Sequence, residues 1–213
     1  MHSTQRKLLN SVRYFQYGQT EIEHLSGKDQ KLGDVIRRFG MLERRVTPDV
    51  FEALVECIVG QQISSKAAST VNQRLKTLLV RIDAGSVLEK SIDEIQQCGM
   101  TIKKAQYITK AAEAILDGSI NIEAFNTMDD EAIVEQLIRL PGVGRWTVEM
   151  ILLHALQRPN VFSADDLVIR RSLMSIHELS VLGKTDFESF RQLYSPYGSV
   201  AMIYLWKYGA QTR

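Results

Sequence analysis

The residues best suited to chemistry begin at Leu140-Pro141-Gly142-Val143-Gly144-Arg145-Trp146-Thr147. A helix over Asp129 to Arg139 cannot continue through Pro141, two glycines permit a tight hairpin, and a new helix starts at Arg145. Glycines let a phosphate approach backbone N–H groups at a helix N-terminus, where the dipole is positive. A side chain at Gly142 or Gly144 is expected to block the phosphate and to meet a positive φ. The segment also suits a plain connection between two helices. Further on, Phe162-Ser163-Ala164-Asp165-Asp166-Leu167-Val168-Ile169-Arg170-Arg171 sets two adjacent carboxylates at a helix start. They suit a cap with a favourable dipole charge, or a carboxylate brought beside a phosphate-gripping turn. A helix from Arg145 to Gln157 rises about 20 Å, and residues 158–164 reach about 23 Å when extended. The return loop is therefore long enough to bring Asp165 and Asp166 back to the hairpin.

A third segment runs Cys57-Ile58-Val59-Gly60-Gln61-Gln62-Ile63-Ser64-Ser65-Lys66-Ala67-Ala68. A helix stops at Gly60 and another starts with Ser64 as its cap, so Gln61, Gln62 and Ile63 project from a tight connection that can probe a groove or stand solvated. Trp146 opens the helix after the hairpin, and Tyr194, Tyr197, Tyr204, Trp206 and Tyr208 crowd the C-terminal end. Aromatics at helical spacing usually form core, although a tryptophan face also stacks a base, a cationic one best.

The elements that must position these residues are helical. Phe51, Leu54, Val55 and Ile58 recur at i, i+3, i+4 and i+7, the stripe of a helix packed on a core. Helix starts are expected at Thr47 with Pro48 in the first turn, and at Asp29, Ser64, Thr101, Asp129 and Asp186. About ten helices and no strand pattern make the chain all-α. The segments 95–108 and 137–150 echo each other as helix, glycine turn, helix. No Pro/Ser/Gly-rich linker divides the 213 residues, so one compact helical body over 1–213 is expected, with residues 47 to 160 as one lobe and the two chain ends, 1–46 and 161–213, as the other.

Composition is that of an ordinary globular chain, 45% apolar and 24% charged, and 26 Lys+Arg against 25 Asp+Glu leave a net charge of +1. Any nucleic-acid surface must then be local. Cys57 and Cys98 are too few for a zinc tetrad or a four-cysteine iron–sulfur site, and His2, His24, His154 and His177 lack metal-ligand spacing. The cysteines read as small buried residues in a reducing compartment. MHSTQRKLLNSVRYF lacks a signal-peptide core and no stretch is long enough for a membrane helix, so a cytoplasmic protein is expected, nucleoid-associated in a bacterium or nuclear in a eukaryote.

IVGQQISSKAA, GMTIKKAQYI, LPGVGRWTVEM, VFSADDLVIRR and YSPYGSVAMIYLWKYG together resemble the helix-hairpin-helix superfamily of DNA glycosylases, and within it the DNA-3-methyladenine glycosylase II branch, over roughly residues 20 to 210. The resemblance implies a two-lobed helical fold with the active-site cleft between the lobes. It makes Leu140 to Gly144 the phosphate-binding hairpin, with Arg145 beside it, often with a sodium, potassium, magnesium or calcium ion at main-chain carbonyls, here those of Leu140 and Gly142. Asp166 matches the catalytic aspartate, with Asp165 as the alternative if the register slips by one, and Arg170 and Arg171 fall where basic residues follow in relatives. Gln61, Gln62, Ile63 and Ser64 match the loop that wedges into the duplex, and Trp146 and Trp206 match walls of the base pocket. Gln61 also adjoins that pocket. Met150 stands where some relatives carry an aromatic.

Two departures refine what the resemblance implies. Lysine-bearing glycosylase-lyases have their nucleophile where this chain has Trp146, so a monofunctional enzyme is expected, and the cysteines of an iron–sulfur branch are absent. The implied reaction is hydrolysis of the N-glycosidic bond of 3-methyladenine- or 7-methylguanine-type bases in base-excision repair. A carboxylate beside C1′ stabilises the oxocarbenium and orients water, after the nucleotide has been flipped out of the duplex. The expected partner is double-stranded DNA with damaged bases, bound by a monomer that needs no cofactor. Two rivals stand: a helix-hairpin-helix module that binds DNA without catalysis, which needs neither Asp166 nor two tryptophans, and a glycosylase for oxidised or mispaired bases.

Overall fold

A computed structural model of the chain describes residues 12–211; the N-terminal stretch that bears on a signal peptide, with His2, lies outside the described residues. Among these, twelve α-helices and a 3₁₀ turn account for nearly all regular structure, more than the ten expected because the two shortest have too few residues to show periodicity. Two strands of two residues, β1 (Arg13–Tyr14) and β2 (Arg45–Val46), pair antiparallel, Arg13 with Val46 and Tyr14 with Arg45. The all-α reading holds apart from this small ladder. The chain divides into two compact units, one contiguous from Thr47 to Leu156 and the other joining the segment that ends at Val46 to the segment that starts at Gln157.

In the contiguous unit, α3 (Val50–Gly60) is the central helix. Phe51, Leu54, Val55 and Ile58, the expected stripe, are all buried. Around it pack α4 (Ser65–Leu79), α7 (Ile102–Leu116) and α9 (Arg145–His154), while α5 (Ala84–Leu88) and α6 (Ile92–Gln96) cover α7, and α8 (Asp130–Leu137) lies against α9. The internal echo is real in the backbone. The α6–α7 turn carries Gly99 at φ +109° and the α8–α9 turn carries Gly142 at φ +79°.

In the other unit, α12 (Gly198–Gln211) contacts all four companions: α1 (Gln19–Lys28), α2 (Gln30–Phe39), α10 (Leu167–His177) and α11 (Lys184–Tyr194). Every residue of α12 from Gly198 to Leu205 is buried. Fully buried Leu25 and Leu32 each contribute about 1.5–3 kcal/mol of apolar burial. Polar ties fasten the two chain segments of this unit together. The Tyr204 hydroxyl donates to the Gly40 carbonyl at 2.9 Å, and the Tyr194 hydroxyl donates to Asp29 Oδ2 at 2.6 Å.

Side-chain caps set most helix starts. Asp29, Ser64, Thr101 and Asp129 accept backbone N–H groups of the first turn, as their sequence context indicates. Two expected starts are displaced. Asp49, not Thr47, caps α3, through the N–H of Glu52, and Pro48 precedes the helix; Thr47 Oγ1 instead donates to Glu56 at 2.8 Å. Asp186 lies inside α11, reaching back to the N–H of Gly183, the residue at the cap position. The helix expected to run to Gln157 stops at His154, and Gln157 has φ +50°. Among the described residues, no helix is long and apolar enough to cross a membrane.

Candidate active site

The structure sorts the sequence-derived residues into two groups, one in each unit. The contiguous unit holds the hairpin and the loop of residues 61–64, the expected wedge loop. Gly142, at φ +79°, has the Tyr107 ring packed where a Cβ would stand, so its lack of a side chain is required by the protein's own packing. Gly144 differs from expectation: its φ is −102°, it occupies the N-cap position of α9, and among the described residues no atom beyond its chain neighbours lies within 4 Å of a Cβ placed there. An ordinary extended dihedral there strains no residue, so the expected backbone penalty applies to Gly142 alone. Val143 buries its side chain and donates its N–H to the Leu140 carbonyl at 3.2 Å.

Gln61 laces the wedge loop to this hairpin. Its side-chain amide donates to the Gly142 carbonyl at 2.9 Å and approaches Thr147 Oγ1 at 3.4 Å. Behind the loop, Lys104 Nζ donates to the carbonyls of Val59 and Gln61 at 2.8 and 2.6 Å, binding the last carbonyls of α3 as a cation at a helix C-terminus does. Burial pulls the Lys104 ammonium below its ordinary value. Beyond it Gln62 turns at φ +56°, Ile63 is exposed, and Ser64 caps α4. Trp146 is half-buried in the first turn of α9, and Met150, one turn on, is buried. The Arg145 guanidinium pairs with both carboxylate oxygens of Glu131, at 3.0 and 2.6 Å, so the side chain expected at a phosphate is engaged within the unit.

The second group surrounds the start of α10. Asp166 is buried and is the N-cap of that helix. Its Oδ1 accepts the N–H groups of Val168 and Ile169 at 2.9 and 3.0 Å. Its Oδ2 accepts the indole N–H of Trp206 at 3.1 Å. Capping and the expected site role therefore fall on one carboxylate, since the cap fixes one oxygen and the tryptophan holds the other. Such pre-set donors hold a carboxylate ready to face a positive centre without reorganisation. Asp165 is exposed. Arg170 turns away, donating to the Leu182 carbonyl and lying over the Phe187 ring, so it is held as a packing residue of the unit.

Three residues of these groups escaped the sequence reading. Arg44 stands with its guanidinium 4.7 Å from the Trp206 ring centroid; burial lowers it from its ordinary value and the charge of Asp166 pushes back. No motif flags it, because it belongs to the short link between α2 and β2. Tyr107 lies within GMTIKKAQYI, but nothing in its spacing discloses that its ring fills the hollow of Gly142. Lys104 did have a signal, as one of two lysines opening the second helix of the echo. No three or more His, Cys, Asp or Glu gather as a metal site among the described residues. The Leu140 and Gly142 carbonyls each accept one hydrogen bond and keep a second lone pair, the neutral oxygen donor a hard cation takes.

The chain is similar to DNA-3-methyladenine glycosylase 1 of Schizosaccharomyces pombe, with 29% identity over 86% of this chain and 84% of the relative. A crystal structure of a DNA-3-methyladenine glycosidase from Bacillus halodurans superposes with a TM-score of 0.80 at 26% identity, covering 94% of each chain. The S. pombe 3-methyladenine DNA glycosylase in complex with abasic DNA gives a TM-score of 0.80 at 28% identity, over 89% of this chain and 96% of that one. The sequence profile of the HhH-GPD superfamily matches residues 55–197, a span that takes in the wedge loop, the hairpin and Asp166 together. On that match, and on the helical fold that carries it, the chain belongs to the HhH-GPD superfamily of base excision DNA repair proteins.

Proposed function

We propose that this protein is a monofunctional DNA glycosylase that excises alkylated purines, of the 3-methyladenine and 7-methylguanine type, from double-stranded DNA as a monomer. The observation that carries the reading is the corner at Asp166, a buried carboxylate with one oxygen fixed by two backbone N–H groups and the other by the Trp206 indole. A cap alone needs no tryptophan on its second oxygen. Binding DNA without catalysis needs no oriented buried carboxylate.

The hairpin around Gly142 and Gly144 holds the backbone phosphate through main-chain N–H groups. Gln62, Ile63 and Ser64 enter the duplex as the damaged nucleotide leaves it, and Gln61, Trp146, Met150 and Trp206 serve the flipped base. Alkylation at N3 or N7 makes the purine a cation and so a good leaving group. As the C1′–N bond breaks, its electron pair goes to the base and positive charge develops on the sugar, opposite the Asp166 carboxylate, which also orients the attacking water. With Trp146 at the position where lysine-bearing relatives keep their nucleophile, water is the acceptor and the abasic strand stays intact. An alkali or alkaline-earth ion held by the Leu140 and Gly142 carbonyls would support phosphate binding electrostatically.

The test is incubation with duplexes that each carry one defined lesion, reading free base by chromatography, with borohydride present in parallel. Release of alkylated purine with no trapped covalent complex is expected. No release from any lesion leaves only a binding protein, and substantial trapping sinks the monofunctional assignment.

A further inference from the structure

We propose that Arg44 is a specificity-determining residue of the Asp166–Trp206 corner that discriminates between bases by their charge; this rests on the glycosylase reading above. Its Cζ stands 4.7 Å from the centroid of the Trp206 ring, and the indole N–H of that ring is committed to Asp166 Oδ2 at 3.1 Å. The main chain of Arg44 is pinned where β2 begins, its carbonyl accepting the Phe15 N–H at 2.8 Å. The guanidinium is half-buried and feels the charge of Asp166. A tryptophan face is the aromatic surface that most attracts a cation, and this one already holds a cation that cannot shed its proton.

A cationic methylpurine brought to Trp206 must displace that guanidinium or share the ring with it, two like charges at short range in a poorly screened site. A neutral purine meets no such repulsion. The difference persists as the bond breaks. From a neutral base the C1′–N9 electron pair produces an anion, which is neutralised by a proton from the water whose oxygen bonds to C1′. A guanidinium beside the departing base stabilises that developing negative charge. A cationic base leaves as a neutral molecule and gains nothing from it. Arg44 therefore tilts the enzyme toward neutral damaged purines, deaminated or etheno-bridged, relative to what the Trp206 face alone selects.

The experiment compares single-turnover release of hypoxanthine, which is neutral, and 7-methylguanine, which is cationic, from otherwise identical duplexes by the wild type, Arg44→Gln and Arg44→Lys. Arg44→Gln is expected to lower hypoxanthine release about tenfold more than 7-methylguanine release, below the roughly 10²- to 10³-fold of a dedicated oxyanion donor because the half-buried guanidinium is partly screened by solvent. Arg44→Lys, which keeps the charge but loses the planar stack, falls between. A shift in the ratio of less than about threefold, or a common loss on both lesions, assigns Arg44 to packing and overturns the proposal. Should Arg44→Gln fail to melt cooperatively, the ratio for Arg44→Lys decides by the same threshold. A wild type that releases 7-methylguanine and no neutral base overturns it too, while the glycosylase reading stands. A wild type that releases neither from any duplex overturns that reading and this one with it.

Discussion

Replacing Asp166 by asparagine removes a negative charge and also one acceptor. If the amide oxygen keeps the N–H groups of Val168 and Ile169, the amide nitrogen is left facing the Trp206 indole N–H, donor against donor. Asp166→Asn is therefore expected to lose at least about 100-fold in single-turnover base release and also about 1–3 kcal/mol of stability from the unsatisfied buried donor, read by urea unfolding. Asp165→Asn, at an exposed position, should stay within a few-fold of wild type; the reverse pattern would move the catalytic carboxylate by one residue. The two hairpin glycines separate just as cleanly. Gly142→Ala meets both a positive φ and the Tyr107 ring, so it should destabilise by more than the roughly 1–2 kcal/mol of the dihedral alone, and the double variant with Tyr107→Ala should cost less than the sum of the singles. Gly144→Ala has open space and an ordinary dihedral. It should fold normally, so a loss of affinity for lesion and undamaged duplexes alike would report the phosphate contact itself.

At the scale of elements, the loop proposed as the wedge is positioned by what holds the end of α3. Lys104→Met keeps the apolar stem but removes both charge-assisted bonds to the Val59 and Gln61 carbonyls. A loss of about 1–3 kcal/mol is expected, together with a larger drop in base release from paired duplex than from single strand, where no wedge is needed; an equal drop on both substrates would confine Lys104 to stability. Local chemistry explains which elements could be read beforehand. Asp29, Ser64, Thr101 and Asp129 are short polar residues directly before apolar periodicity, and each caps through its own neighbours in sequence. Thr47 misleads because Asp49 offers the same chemistry two residues later and has the geometry to reach the Glu52 N–H. Arg44 over Trp206 and Tyr107 under Gly142 are contacts between distant segments, set by packing that no spacing along the chain encodes.

For the whole molecule, alkaline pH is the natural probe of the core. Burial, and then the charge of Glu56, push the Cys57 thiol up to about 12. Burial, then the hydrogen bonds to Asp29 and to Tyr17, raise the Tyr194 and Tyr204 hydroxyls. Raised folded-state values mean that the folded protein keeps protons the unfolded chain gives up, so stability is fully present below about pH 9 and is lost progressively above it. Urea midpoints measured from pH 7 to 11 should fall from about pH 9 upward, while a midpoint that holds to pH 11 would contradict the burial of these groups. The division of the chain also sets an order in time. Tyr194 and its partner Asp29 are 165 residues apart, a stretch that a ribosome adding about 5–20 residues per second needs roughly 8 to 33 s to traverse. During that interval Leu25, Leu32, Val35 and Ile36, all buried in the finished fold, have no α12 to cover them, whereas the intervening unit, contiguous from Thr47 to Leu156, has all the chain it packs from as soon as Leu156 is added. Until α12 is made, the apolar faces of α1 and α2 therefore lack the cover it gives them in the finished fold, the kind of transiently exposed surface that chaperones bind.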